Sequence, residues 1–135
     1  LTPNRPEAAC LLDCAIARNN NEAEEQGRAL LKLGAKAVLM KGGHAEGDIC
    51  TDLLIRANLP MIQLEAPRIY TQNTHGTGCT LSSAIAAGLG KGLSLEKALR
   101  EAHTYLQAAI RSANTLQVGS GHGPVHHFHA LWEIA

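Results

Sequence analysis

Two glycines, three threonines, a histidine and a cysteine crowd into Asn73-Thr74-His75-Gly76-Thr77-Gly78-Cys79-Thr80, directly ahead of the apolar run 81–89. Glycines at 76 and 78 let a ligand approach the backbone closely, because no Cβ stands in the way. A helix beginning there offers several N–H groups that lack an acceptor within the helix. With the helix dipole behind them, those amides suit a phosphate or a developing negative charge. The same field favours negative charge on the sulfur of Cys79. A plainer alternative is a glycine-rich turn entering a buried helix, with Cys79 as a packing residue. A different chemistry is also open: Cys79 as nucleophile and His75 as its base, four residues apart across the turn, which requires a third group to orient the base.

Other residues invite the same weighing. His122, His126, His127 and His129 cluster near the C-terminus, but no carboxylate or cysteine joins them at zinc-like spacing, so no metal centre is expected there. His75 is expected to stabilise its turn. The run 22–25 (Glu-Ala-Glu-Glu) reads as a solvated helix start. Cys10 and Cys14 fall four apart in an apolar segment, share a face if that segment is helical, and are expected in the core, where free cysteines commonly sit. Cys50 and Cys79 complete a set of four with no C-x-x-C pair and no disulfide framework, as suits a reducing compartment.

The elements that must position these groups follow from periodicity. Thr2-Pro3-Asn4-Arg5-Pro6-Glu7 reads as a turn and helix start, with Pro6 in the first turn and Glu7 complementing the dipole. Leu11, Leu12, Ala15 and Ile16 continue that helix through about Ala17 until Asn19-Asn20-Asn21 breaks it. A second helix is predicted over 22–33, with Gly34 as its left-handed terminator. The continuous apolar run 37–40 (Ala-Val-Leu-Met) reads as a strand buried on both faces of a parallel sheet, ending in the loop Lys41-Gly42-Gly43-His44. Segments 50–55 and 61–64 read as two further strands, with a turn over 57–60 that can close them into a hairpin. The helix from about Cys79 to Leu89 is apolar nearly all round and is therefore expected to be central. Ser94 can cap a last helix whose stripe runs Leu95, Ala98, Leu99, Ala102, Tyr105, Leu106, Ala109 and Ile110. Helix–strand alternation argues for an α/β layered fold.

Composition narrows the classes. The 135 residues are 45% hydrophobic and 18% charged, with a formal net charge of +0, and aromatics supply only 3%. The core must be aliphatic. A balanced charge gives no footprint for nucleic acid or an anionic membrane. No apolar run reaches the roughly 20 residues that a spanning helix needs. A cytoplasmic setting is expected. The sequence opens at Leu1 already inside a turn-and-helix motif, which reads as the interior of a longer domain.

The stretch N-T-H-G-T-G-C-T-L-S-S-A-I-A-A resembles the signature of hydroxymethylpyrimidine (phosphate) kinases, a version of the ribokinase-like G-A-G-D motif in which an Asp is the general base. Three more stretches match in order: T-P-N-R-P-E (2–7) resembles the N-x-x-E element, V-L-M-K-G-G-H (38–44) the strand and loop bearing a phosphate-side lysine, and G-S-G-H-G-P-V-H-H-F (119–128) the closing loop. The resemblance implies the C-terminal half of one ribokinase-like three-layer αβα domain, with a doubly wound, mostly parallel sheet and the N-terminal half absent. It implies ATP and Mg²⁺ as cofactors, and 4-amino-5-hydroxymethyl-2-methylpyrimidine or its monophosphate as substrate. The full-length enzyme is expected to be a homodimer. Carried over, Cys79 takes the catalytic position beside the substrate hydroxyl, and the amides of Gly76, Thr77 and Gly78 form the anion hole. Lys41, Gly43, His44 and Thr74 belong to the nucleotide site, and Asn4 with Glu7 organises Mg²⁺ through its water shell. A pyridoxine-type kinase is the near alternative, and a non-catalytic half-domain acting by association the distant one.

Overall fold

The computed structural model describes residues 1–42 and 47–132, arranged as two compact units, 1–68 and 69–135. Gly43 and His44, expected in the nucleotide site, lie outside the described residues.

The first unit holds helices α1 (Arg5–Leu12) and α2 (Asn20–Leu31) and strands β1 (Ala37–Met40), β2 (Ile49–Arg56) and β3 (Ile62–Pro67). Helix α1 starts with a capping box: the Asn4 side chain accepts from Glu7 N–H, and the Glu7 carboxylate accepts from Asn4 N–H, each at 2.8 Å. It ends sooner than the apolar spacing predicted. Asp13 takes a left-handed conformation (φ 50°) and turns its N–H back onto Ala9 and Cys10. Cys10 lies off the face of α1 that buries Ala8 and Ala9, Cys14 falls beyond its end, and both are exposed rather than in the core; the Cys14 sulfur accepts from the Gln26 amide at 3.4 Å. Asn19 caps α2, and Gly34 follows it at φ 105°.

The sheet corrects the expectation of parallel strands. Its order is β1-β2-β3, and both pairings are antiparallel, with Met40 opposite Leu53 and Asp52 opposite Leu64. A continuous apolar run signals burial on both faces; it does not carry the direction of the neighbouring strand. Parallel geometry does appear on the other edge of β1. There Leu39 N–H donates to Leu1 O at 2.8 Å, Lys41 N–H donates to Pro3 O at 2.9 Å, and Asn4 and Lys41 form a parallel bridge. The core of this unit joins Ala8, Ala23 and Leu30 of the helices to Val38, Met40, Leu53 and Ile55 of the sheet.

The second unit pairs α3 (Thr77–Gly90) with α4 (Leu95–Arg111), followed by a 3₁₀ turn at Ala113–Thr115. Gly88 lets the helices meet closely, since a Cβ there would stand 2.8 Å from the Ala98 Cβ. Ser94 caps α4, and the predicted stripe faces inward, with Ala98, Leu99, Ala102, Leu106 and Ala109 buried. Helix α3 is not enclosed all round, contrary to expectation. Only Leu81, Ile85 and Gly88 are buried among its described residues, and Ala86, Ala87 and Leu89 are exposed. The small side chains that read as a buried surface cover just one face.

Candidate anion site and nucleotide-side loop

Helix α3 begins at Thr77, two residues earlier than its apolar run suggested. Gly76 precedes it in the left-handed region (φ 85°). At that φ any side chain would be strained, so the glycine is required by the backbone. The other three α-helices spend a side chain on their first amides: Asn4, Asn19 and Ser94. No side chain caps α3. Its Thr77 N–H makes a long 3.3 Å bond to Thr74 O, and Thr80 N–H closes the first helical bond to Gly76 O at 2.8 Å. Ser82 Oγ donates to the carbonyls of Gly78 and Cys79, each at 3.1 Å, which firms the first turn without occupying its amides. The result is a helix N-terminus with a positive dipole end and uncapped donors.

A cleft of about 640 Å³ opens at that turn, lined by His75, Gly76, Cys79, Thr80, Tyr105 and His127 among others. Cys79 is exposed in it. The cleft wall is built by the C-terminal loop. His75 N–H donates to Gly123 O at 3.1 Å, Val125 N–H returns to His75 O at 3.3 Å, and Tyr105 OH donates to His127 O at 2.8 Å. His75 thus serves its turn through its backbone. Asn73 anchors the approach: its amide donates to Ala113 O at 3.1 Å and to Asn114 Oδ1 at 3.2 Å. Of the clustered histidines, His122 Nδ1 lies 3.2 Å from Gln72 O, and the buried His126 meets Trp132 edge-on at 5.0 Å. No group of three or more metal-ligating side chains forms among the described residues.

In the first unit the structure brings Asn4, Glu7 and Lys41 together. The Asn4–Lys41 bridge puts the lysine beside the capping box that opens α1. One Glu7 oxygen is taken by the Asn4 amide, and Glu7 is exposed. Gly42 N–H donates to the Asp52 carboxylate at 2.8 Å in a buried bond. Sequence reasoning passed over Asp52, Asn73 and Gly123. A lone carboxylate inside the apolar stretch 50–55 was the available signal for the first, and membership in the two glycine-rich motifs for the others.

Residues 1–126 match the profile of a family described as phosphomethylpyrimidine kinase. The chain belongs to that family. A hydroxymethylpyrimidine/phosphomethylpyrimidine kinase of Salmonella typhimurium is 52% identical over 132 residues, covering 98% of this chain and 49% of the relative. The corresponding kinase of Rhizobium meliloti is 50% identical over 133 residues, covering 98% and 50%. Among solved structures, pyridoxal kinase from Staphylococcus aureus in complex with AMP-PCP and pyridoxal superposes with a TM-score of 0.88 at 27% identity, covering 96% of this chain and 48% of that one. The fold class is therefore α/β of the ribokinase-like kind, as the four motifs implied. The chain spans about half the length of the phosphomethylpyrimidine kinases it matches. No helix among the described residues is long and apolar enough to cross a membrane.

Proposed function

We propose that this chain carries the anion-hole and nucleotide-side part of an ATP-dependent kinase of 4-amino-5-hydroxymethyl-2-methylpyrimidine, or of its monophosphate, in thiamin diphosphate synthesis. The observation that carries the reading is the uncapped, glycine-started N-terminus of α3, with Cys79 exposed in the cleft beside it. Phosphoryl transfer asks a protein chiefly for positioning and charge stabilisation, because its transition state is loose and metaphosphate-like. An array of fixed amides supplies this without reorganising during the reaction.

In this reading the γ-phosphoryl group passes from ATP to the hydroxymethyl oxygen. An O–P bond to the substrate forms, the bond to the ADP oxygen breaks, and the hydroxyl proton is released to water once the new bond has formed. Amides of Gly76, Thr77 and Gly78 hold the equatorial oxygens. Cys79 accepts a hydrogen bond from the hydroxyl and orients it, a role that needs little base strength in a loose transition state. Lys41 neutralises phosphate charge, and Thr74, preceding the turn, belongs to the nucleotide site. Asn4 and Glu7, joined in the capping box, organise Mg²⁺ through its water shell. The residues that the relatives carry beyond this length supply the rest of the pyrimidine pocket. The AMP-PCP complex of the staphylococcal pyridoxal kinase supports ATP as donor. Identity of 50–52% to pyrimidine kinases, against 27% to that pyridoxal kinase, favours the pyrimidine.

The test is Cys79→Ala in a protein of the relatives' full length bearing this segment. Pyrimidine-dependent ATP consumption is expected to fall about 10²-fold in kcat, the scale of a positioned acid–base group, with the KM for ATP little changed. Near-normal turnover removes Cys79 from the mechanism, and faster turnover of pyridoxal than of the pyrimidine overturns the substrate.

A further inference from the structure

We infer that Asp52 is the positioning residue for Lys41, holding the lysine loop through the amide of Gly42. This rests on the reading of Lys41 as a phosphate-side cation. The register of β1 and β2 supplies the first argument. Met40 pairs with Leu53, so continuing the ladder by one residue sets Lys41 across from Asp52, and by two sets Gly42 across from Thr51. The strand ends there, and side-chain chemistry replaces the ladder: the Asp52 carboxylate accepts Gly42 N–H at 2.8 Å.

Burial makes that bond consequential. Asp52 is only 9% exposed, on a strand whose neighbours Leu53, Leu54 and Ile55 are all buried. A carboxylate held so far from water requires hydrogen-bond donors, and a bond from an amide to a charged acceptor is stronger than one between neutral groups. A steric observation points the same way independently. Gly42 lies so near β2 that a Cβ there would overlap Thr51 O and stand 2.8 Å from the Thr51 carbonyl carbon. Only glycine allows the loop to come within reach of the Asp52 oxygen.

Lys41 is thereby fixed from both sides. Its own N–H is tied to Pro3 O at 2.9 Å, on the strand segment leading into the capping box, and the next residue is tied to Asp52. The lysine side chain leaves a backbone with no freedom to slide along the sheet. A flexible four-carbon stem loses much of its placement if its base can move, so the carboxylate acts on phosphate through the lysine and touches no substrate.

A double-mutant cycle in a protein of the relatives' full length decides the matter. Asp52→Ala is expected to lower kcat/KM for ATP about tenfold, the scale of one buried bond to a charged group. Asp52→Asn, which retains an acceptor oxygen, is expected to stay within about threefold of the parent. On a Lys41→Ala background the Asp52→Ala loss is expected to vanish to within about twofold, because both changes remove the same placed charge. A full loss that multiplies on that background, or no loss on the parent where Lys41→Ala by itself lowers kcat/KM, overturns the inference. If Asp52→Ala gives no cooperative unfolding transition, Asp52→Leu, which fills the space with an apolar side chain and offers no acceptor, takes its place in the same cycle, with the same two outcomes deciding. Amide exchange at Gly42 separates this inference from the one beneath it. Faster Gly42 exchange in Asp52→Ala, together with a Lys41→Ala protein of normal kcat/KM, leaves Asp52 holding the loop and sinks the phosphate role of Lys41. Unchanged exchange sinks the Asp52 link itself.

Discussion

Adding one methyl group at Gly123 should loosen the wall of the anion cleft from outside it. A Cβ there would overlap Asn73 Oδ1 and stand 2.7 Å from Asn73 Cγ. Ordinary carbon–carbon contact begins at about 3.5 Å, so the Asn73 side chain must retreat by roughly 0.8 Å or more. Its Cγ is close to the backbone, and the group is half-buried, so bending a flexible tip does not relieve the overlap. Retreat breaks the bonds of the Asn73 amide to Ala113 O and Asn114 Oδ1. Overpacking costs about 1–3 kcal/mol, and each lost hydrogen bond about 1 kcal/mol, part of which the relief of strain offsets. A net loss of about 2 kcal/mol corresponds to a Tm lower by roughly 8 °C for a chain of this length. Circular dichroism on heating measures it. Amide shifts of His75 and Gly76 should move with it, because His75 N–H is bonded to Gly123 O. Asn73→Ala removes the obstructing group, so the doubly substituted protein should melt no lower than Asn73→Ala alone. A Gly123→Ala protein melting within about 1 °C of the parent, or losses that simply add in the double variant, refutes the steric link.

Gly27→Ala should strain the seam between α2 and the sheet, where a Cβ would overlap Ile55 Cδ1 and approach Met40 Cγ to 3.2 Å. Denaturant unfolding is expected to show a loss of about 1–3 kcal/mol, and a gain in stability from the better helix former would contradict the packing. At the start of α2, the Arg18 side chain holds the Glu22 carboxyl below its usual range, chiefly by hydrogen bonding, with the Arg18 backbone N–H adding to it. A lowered folded pKa means a contribution present above the unfolded value of 4.5 and lost as pH falls through the folded one. Arg18→Ala should raise the Glu22 midpoint, read from its carboxyl carbon shift, yet leave it short of 4.5, since the backbone donor remains. An unmoved midpoint would exclude the side-chain pair as its cause.

The elements most legible in the sequence were those with local signals. Ser94 announced the start of α4, and Pro6 with Glu7 that of α1, because helix starts are settled within about four residues; Asn19, read only as a break, proved to be the cap of α2. The β1 boundaries and the 57–60 turn were readable for the same reason. The direction of β1 was not, because a buried apolar run looks alike beside parallel or antiparallel partners, whereas the 57–60 turn did allow the β2–β3 hairpin. The cysteine pair failed for two reasons: α1 buries the face of Ala8 and Ala9 and leaves Cys10 outside it, and Asp13 takes the left-handed conformation and ends the helix before Cys14. Helix α3 failed differently. Its alanines and glycines are compatible with burial on every side, and compatibility does not supply a neighbour.

The candidate site divides along the same line. Thr74 to Cys79 could be read as an anion site because glycine spacing and an approaching helix are sequence properties, and the missing side-chain cap on α3 sharpens that reading. The N-x-x-E spacing at Asn4 and Glu7 is ambiguous in sequence, since the same four residues satisfy a capping box with no ligand involved. The structure makes the box. Asp52 and Gly42, ten residues apart, and Asn73 and Gly123, fifty apart, could not be paired from the sequence at all. Each is a polar side chain packed against a glycine that only the folded backbone brings near. Glycines in this chain therefore do two jobs. Gly76 supplies a backbone angle, whereas the missing side chains of Gly42 and Gly123 make room for the Thr51 backbone and the Asn73 side chain.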